Sequence, residues 1–98
     1  MKELLAFFDA NQQTLLRAAR AGHSAKALTI AEDLWKAFLR LKAPHRLQPL
    51  IPLAPIQARV DNLAAMHHRP PQKAKAAQVE RHLAQTRAGI EGALSEET

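Results

Sequence analysis

Apolar side chains recur three and four residues apart along four segments of the chain, the spacing of one face of an α-helix. The segments cover residues 2–21, 25–41, 55–68 and 73–94. The second segment is the most regular, with an apolar seam formed by Ala27, Ala31, Leu34, Phe38 and Leu41. The pattern predicts an all-α fold, a small antiparallel bundle of three to four helices.

Glycine, serine and proline mark the ends of these segments. Gly22 suits the end of the first helix, and Ser24 suits the N-cap of the second. The short link between them predicts an antiparallel helical hairpin. Pro44 ends the second helix, Pro55 fits the first turn of the third, and the "RPP" of residues 69–71 closes the third.

Length and composition fit one helical domain over residues 1–94, with a frayed tail at 95–98. Apolar residues form 47% of the chain, and Ile, Val, Thr and Tyr are too few for a sheet. The absence of cysteine excludes disulfides. No apolar run reaches the roughly 18 residues of a membrane span, and Glu3 and Asp9 interrupt the apolar start. We therefore expect a cytoplasmic protein that does not enter a membrane.

The stretch "RLQPLIPLAP", residues 46–55, places a proline at every third position with aliphatic side chains between them. Three interpretations fit: a polyproline ligand for another protein, a kinked helix beginning near Pro44, or an extended connector packed on the hairpin. Four large aliphatic side chains favour the packed connector, because an exposed ligand segment would be more polar. The connector is then part of the core or the lining of a groove.

The net charge of +5 is concentrated in the middle of the chain. Residues 1–33 carry four basic and four acidic side chains, so they balance. Residues 34–81 carry nine basic and two acidic side chains, and residues 82–98 carry one basic and three acidic side chains. A basic surface of this kind suits an acidic protein partner or nucleic acid. The basic side chains are spread over several helices without an arginine-rich helix, and aromatic residues for base stacking are few.

Catalytic and metal-binding patterns are missing from the sequence. There is no Gly-x-Ser-x-Gly turn, no cysteine and no glycine-rich phosphate loop. The sequence also lacks the helical zinc-binding pattern, in which two histidines lie four residues apart with a glutamate between them. We expect His67 to be partly buried in the core and the other four histidines to lie on the surface. Neither an enzyme nor a metal or other cofactor is expected.

The run "LLRAARAGHSAKALTIAEDLWKAFLRL" resembles the first hairpin of FliT-type flagellar export chaperones. Its "AGHSAKAL" turn is also similar to the tetratricopeptide helix pairs of some type III secretion chaperones. The resemblance covers residues 11–94 as a pattern of small and apolar positions. It implies a bacterial all-helical chaperone or adaptor that binds an amphipathic helix of an export substrate, with the last helix partly masking the groove.

These features predict a protein-binding module, with a basic nucleic-acid-binding protein as the alternative. The predicted partner contacts are Trp35, Phe38, Leu39, Leu50, Ile51 and Leu53. The predicted electrostatic contacts are Lys36, Arg40, Arg46, Arg59 and Lys73. The partner is expected to be acidic or to present an amphipathic helix, and a homodimer is a further candidate assembly.

Overall fold

The computed structural model describes residues 1–43 and 51–96, and this part of the chain contains four α-helices and no strand. They are α1 (Lys2–Ala18), α2 (Ser24–Lys42), α3 (Leu53–Ala64) and α4 (Lys73–Glu96), with a π turn, Ala19–His23, between α1 and α2. The predicted all-α fold class is confirmed.

Helices α1 and α2 form the centre of the bundle, and α3 and α4 each pack against both of them. No comparable packing joins α3 to α4 within the described residues. Arg20 pairs with Glu80 and Asp9 pairs with Arg87, so α4 runs antiparallel to α1 and in the same direction as α2. The segment from α3 to α4 must therefore cross the end of the α1–α2 hairpin.

The core is built from the apolar stripes that the sequence pattern predicts. The seam of α4 is buried at Ala76, Val79, Leu83, Thr86 and Ile90. That of α2 is buried at Ala27, Ala31, Leu34 and Phe38. Helix α3 buries Ile56, Val60 and Leu63. In α1 the polar Asn11 lies in the buried stripe with Leu4, Phe8 and Leu15.

The chain reverses direction at Gly22, the one described residue with a positive φ, 96°. This agrees with the predicted end of the first helix, since glycine adopts that conformation without a side-chain clash. The predicted N-cap at Ser24 is wrong. Ser24 has helical backbone angles (φ −61°, ψ −36°) and begins α2, while His23 holds the cap position without a side-chain cap bond.

Helix α3 ends at Ala64, four residues before the predicted end at residue 68. The following segment crosses the hairpin turn, where the Arg69 N–H donates to the carbonyl of Ala21 at 2.7 Å. The ring of His23 contacts the carbonyl of His67 through Nε2. The sequence predicts a partly buried His67 and a surface His23, and the structure shows the reverse. His23 is 8% exposed, and His67 is exposed because it lies in the crossing segment.

The proline-rich connector is described from Ile51 onward. Ile51 is half-buried and packs against the core, Pro52 is extended, and Leu53 is the first residue of α3. Pro55 lies in the first turn of α3, as predicted, where its missing N–H removes no helical hydrogen bond. The rest of the predicted connector, including Leu50 and Arg46, lies outside the described residues.

Helix α4 continues through Ser95 to Glu96, two residues beyond the predicted end at 94. Within the described ranges, no helix combines the length and the apolar character needed to cross a bilayer.

Candidate functional site

Two aromatic side chains of α2 pack together beneath α4. The ring centroids of Trp35 and Phe38 are 5.3 Å apart, with an interplanar angle of 44°. Helix α4 passes close to both rings at Gly89, where an added Cβ would lie 3.1 Å from Cε1 of Phe38 and 3.4 Å from Cζ3 of Trp35. Phe38 is only 3% exposed and belongs to the core, whereas Trp35 is half-buried. Of the two predicted contact residues, Trp35 is therefore the accessible one.

Leu39 lies four residues after Trp35, on the same face of α2. It is 46% exposed and is the sole large apolar side chain in the exposed class among residues 1–43 and 51–96. A single exposed leucine is common on protein surfaces. Its position beside a half-buried tryptophan makes the two a small continuous apolar surface.

Three basic residues of α2 lie on the same two turns as this apolar pair. Lys36 and Lys42 are exposed, and Arg40 is half-buried. The Nζ atom of Lys42 lies 5.8 Å from the centroid of the Phe38 ring, within the range of a cation–π contact. We name Trp35, Lys36, Leu39, Arg40 and Lys42 the α2 patch. The predicted contact set omits Lys42, although its spacing of seven residues from Trp35 places it on the same helix face.

The predicted contacts from the connector lie elsewhere. Ile51 and Leu53 are half-buried and line a cavity of about 240 Å³ beside Leu4, Ala37 and Leu41. Leu41 follows Leu39 by two residues, which places it about 200° around the helix axis. The structure therefore brings Trp35, Phe38 and Leu39 together, and places Ile51 and Leu53 on the side of α2 opposite Leu39.

The predicted electrostatic residues do not share one surface either. Arg59, on α3, forms an ion pair with Asp33 of α2. Lys73 is the first residue of α4 and is exposed. It precedes Gly89 by sixteen residues, so it lies about 24 Å along α4 from the level of Trp35. Only Lys36 and Arg40 adjoin the apolar pair, and Arg46 lies outside the described residues.

Charged side chains elsewhere form ion pairs between and along helices. Arg87 of α4 lies 3.1 Å from Asp9 of α1 and 3.0 Å from Glu91 of its own helix. Arg20 and Glu80 are 2.7 Å apart and both exposed. Exposed pairs of this kind contribute little to stability, about 0–1 kcal/mol each. No three His, Asp or Glu side chains of the described ranges cluster closely enough to hold a metal ion.

The chain matches no protein-family model, no curated protein and no solved structure. A function for it is therefore inferred from its own residues and their arrangement.

Proposed function

We propose that the chain is a small helical protein-binding module that docks an amphipathic segment of another protein on the α2 patch. The observation that carries the proposal is the 46% exposure of Leu39 beside the half-buried Trp35, with three basic side chains on the same two turns of α2. Tryptophan and arginine are the residue types most enriched among strong interface contacts.

The chemistry of the α2 patch specifies the partner. Trp35 and Leu39 supply apolar area, each Å² of which contributes roughly 25 cal/mol when buried. Lys36, Arg40 and Lys42 add positive charge on the same two turns of α2. A helix that presents two or three apolar side chains flanked by Asp or Glu complements both features. Because the apolar area is small, we expect a transient complex.

Phe38 supports this surface from beneath and does not itself face the partner. Its ring contacts Trp35 on one side and Lys42 on another. Ile51 and Leu53 are assigned a packing role, because their cavity lies on the other side of α2. The resemblance of the hairpin to FliT-type chaperones supports a chaperone or adaptor role in the bacterial cytoplasm.

A photo-crosslinking amino acid at position 39 identifies the partner in the native host. The matched control places the same amino acid at Ala58, which is exposed on α3. We expect a specific adduct from position 39 that mass spectrometry identifies as an acidic or amphipathic segment. Equal adducts from positions 39 and 58, or none from position 39, would contradict the proposal.

Association kinetics with the identified partner then test whether the basic residues of the α2 patch attract that partner. We expect Lys36→Glu combined with Arg40→Glu to slow association more than it speeds dissociation, because rim charges act mainly on the encounter rate. Lys75→Glu combined with Arg81→Glu, two exposed positions of α4, is the control with the same change in net charge and should have a much smaller effect. An unchanged association rate in the double variant would remove the basic residues from the recognition mechanism.

Nucleic-acid binding is the second candidate, favoured by the net charge of +5. Against it, the basic residues at positions 36, 59 and 73 lie on separate parts of the bundle. A salt titration with generic duplex DNA separates the two functions. Micromolar binding that falls steeply with salt would favour nucleic acid, and no binding at low salt would exclude generic duplex binding.

A further inference from the structure

A second cavity, of about 260 Å³, lies in the groove between α2 and α3. We name it the α2–α3 cavity. Its apolar floor consists of Ile30, Leu63 and Met66, of which the first two are buried. Its polar rim consists of Lys26, Thr29, Arg59 and Asn62, all exposed. The cavity thus combines an apolar interior with a polar mouth.

The mouth of the cavity is rich in hydrogen-bond donors and positively charged. Among the residues that the structure describes, Lys26 and Arg59 are the charged residues that line the cavity, and none of its lining residues is acidic. Arg59 pairs with Asp33 through Nη1, which leaves further N–H groups of the guanidinium. The amide of Asn62 offers two more donors. The hydroxyl of Thr29 donates to the Ala25 carbonyl at 3.0 Å, so the donors of the mouth are Lys26, Arg59 and Asn62.

These features suit a ligand with an anionic head and a single apolar tail of moderate length. A carboxylate accepts hydrogen bonds from guanidinium, ammonium and amide groups together. The tail would lie on Ile30 and Leu63, with Met66 adjusting to its shape because an unbranched thioether side chain packs adaptably. The volume lies just below the roughly 300–1,000 Å³ usual for drug-sized ligands, which favours a single chain of moderate length.

We propose that the α2–α3 cavity binds a medium-chain aliphatic carboxylate. This site is separate from the α2 patch, because Ile30 and Leu39 are nine residues apart and point about 180° apart around α2. The two proposals can therefore fail independently.

Amide NMR titration with sodium octanoate tests the proposal on the full chain. We expect saturable shifts at millimolar concentration centred on Ile30, Leu63 and Met66. Octanamide, which keeps the tail without the charge, and acetate, which keeps the charge without the tail, should each bind much more weakly. Equal binding of octanamide, shifts centred on Trp35 and Leu39, or no saturable shifts would overturn the proposal.

Two matched lysine variants test the charged mouth. Lys26 is the third residue of α2 and Lys75 the third residue of α4, and both are exposed. Lys26→Gln should weaken octanoate binding by up to about fivefold, the range of an exposed ion pair, and Lys75→Gln should leave it unchanged. An equal effect of the two variants would show attraction by net charge alone and overturn the site.

A third variant fills the mouth. Thr29→Phe places a large side chain at an exposed rim position and should abolish octanoate binding while the amide spectrum remains that of a folded bundle. Undiminished binding to the folded Thr29→Phe variant would overturn the assignment of the cavity.

Discussion

Gly22 has a conformation and surroundings that disfavour any residue with a side chain. Its φ of 96° lies in the left-handed region, and an added Cβ would lie 2.6 Å from Cβ of Arg69 and 2.8 Å from its carbonyl oxygen. The glycine therefore serves two purposes: it lets the chain reverse direction, and it lets the crossing segment lie against the turn.

Replacing Gly22 by alanine should lower the free energy of unfolding by roughly 2–4 kcal/mol. The left-handed backbone costs about 1–2 kcal/mol for an L-residue, and displacement of Arg69 adds an overpacking cost. Urea denaturation measures the change. The control is Gly92→Ala, where nothing lies within 4 Å of an added Cβ and the helix should gain up to about 1 kcal/mol. Similar stability changes in the two variants would contradict this account.

Asn11 is a polar residue in the apolar stripe of α1, and only 5% of it is exposed. Its amide donates to the Phe7 carbonyl and to Oε1 of Gln57, both at 2.9 Å, and its Oδ1 accepts from Nε2 of Gln57 at 3.0 Å. The two amides thus satisfy each other across the α1–α3 contact.

Gln57→Ala should destabilise the protein by about 1–3 kcal/mol, because it leaves the buried Oδ1 of Asn11 without its partner. Replacing both residues by leucine should recover much of that loss, since neither helix then buries an unsatisfied polar atom. A thermodynamic cycle from urea denaturation measures both effects. Gln13→Ala, at an exposed position of α1, is the control and should change stability by less than about 0.5 kcal/mol.

At the scale of elements, α2 and α4 approach each other closely because α4 has a glycine at the contact. Gly89 faces the rings of Phe38 and Trp35, and any larger side chain there would press against them. Helical glycine costs about 1 kcal/mol relative to alanine, so close packing of two helices offsets a poor local propensity.

Gly89→Val should separate α4 from α2 and destabilise the bundle by about 1–3 kcal/mol through overpacking. Trp35 is the sole tryptophan, so its fluorescence reports on this contact directly. We expect a changed emission spectrum for Gly89→Val and an unchanged one for Gly92→Val. An identical spectrum in both variants would place Trp35 away from α4.

The crossing between α3 and α4 is an element-scale feature that periodicity did not predict. The apolar pattern extends to His67 and Met66, so the sequence predicts a longer helix. Helix α3 nevertheless ends early, and the segment bonds to the hairpin turn through the Arg69 N–H and the His67 carbonyl. These contacts join residues more than forty positions apart, which local patterns do not encode.

At the scale of the whole molecule, the bundle measures 42 × 22 × 19 Å with a Cα radius of gyration of 13.7 Å. Leu39 and the accessible part of Trp35 form one small apolar surface on its described part. A stable dimer buries about 800 Å² on each partner, and this surface supplies only a fraction of that area.

We therefore predict a monomer, with the homodimer as the outcome that would contradict the prediction. Small-angle X-ray scattering should give a radius of gyration close to that of the single chain, independent of concentration. Leu39→Lys should leave the value unchanged. A radius that rises with concentration in the parent and not in Leu39→Lys would instead identify the α2 patch as a dimer interface.

The sequence by itself determined the fold class, the approximate place of each helix and most of the core. These features depend on the spacing of apolar residues along single helices, and on glycine and proline, which act on their own backbone. Only the tertiary structure decided three other features. They are the burial of His23, the hydrogen bonds between Asn11 and Gln57, and the separation of Ile51 and Leu53 from Trp35 and Leu39. Each depends on which helix packs on which side of the hairpin, and that choice is made by contacts between residues distant in the chain.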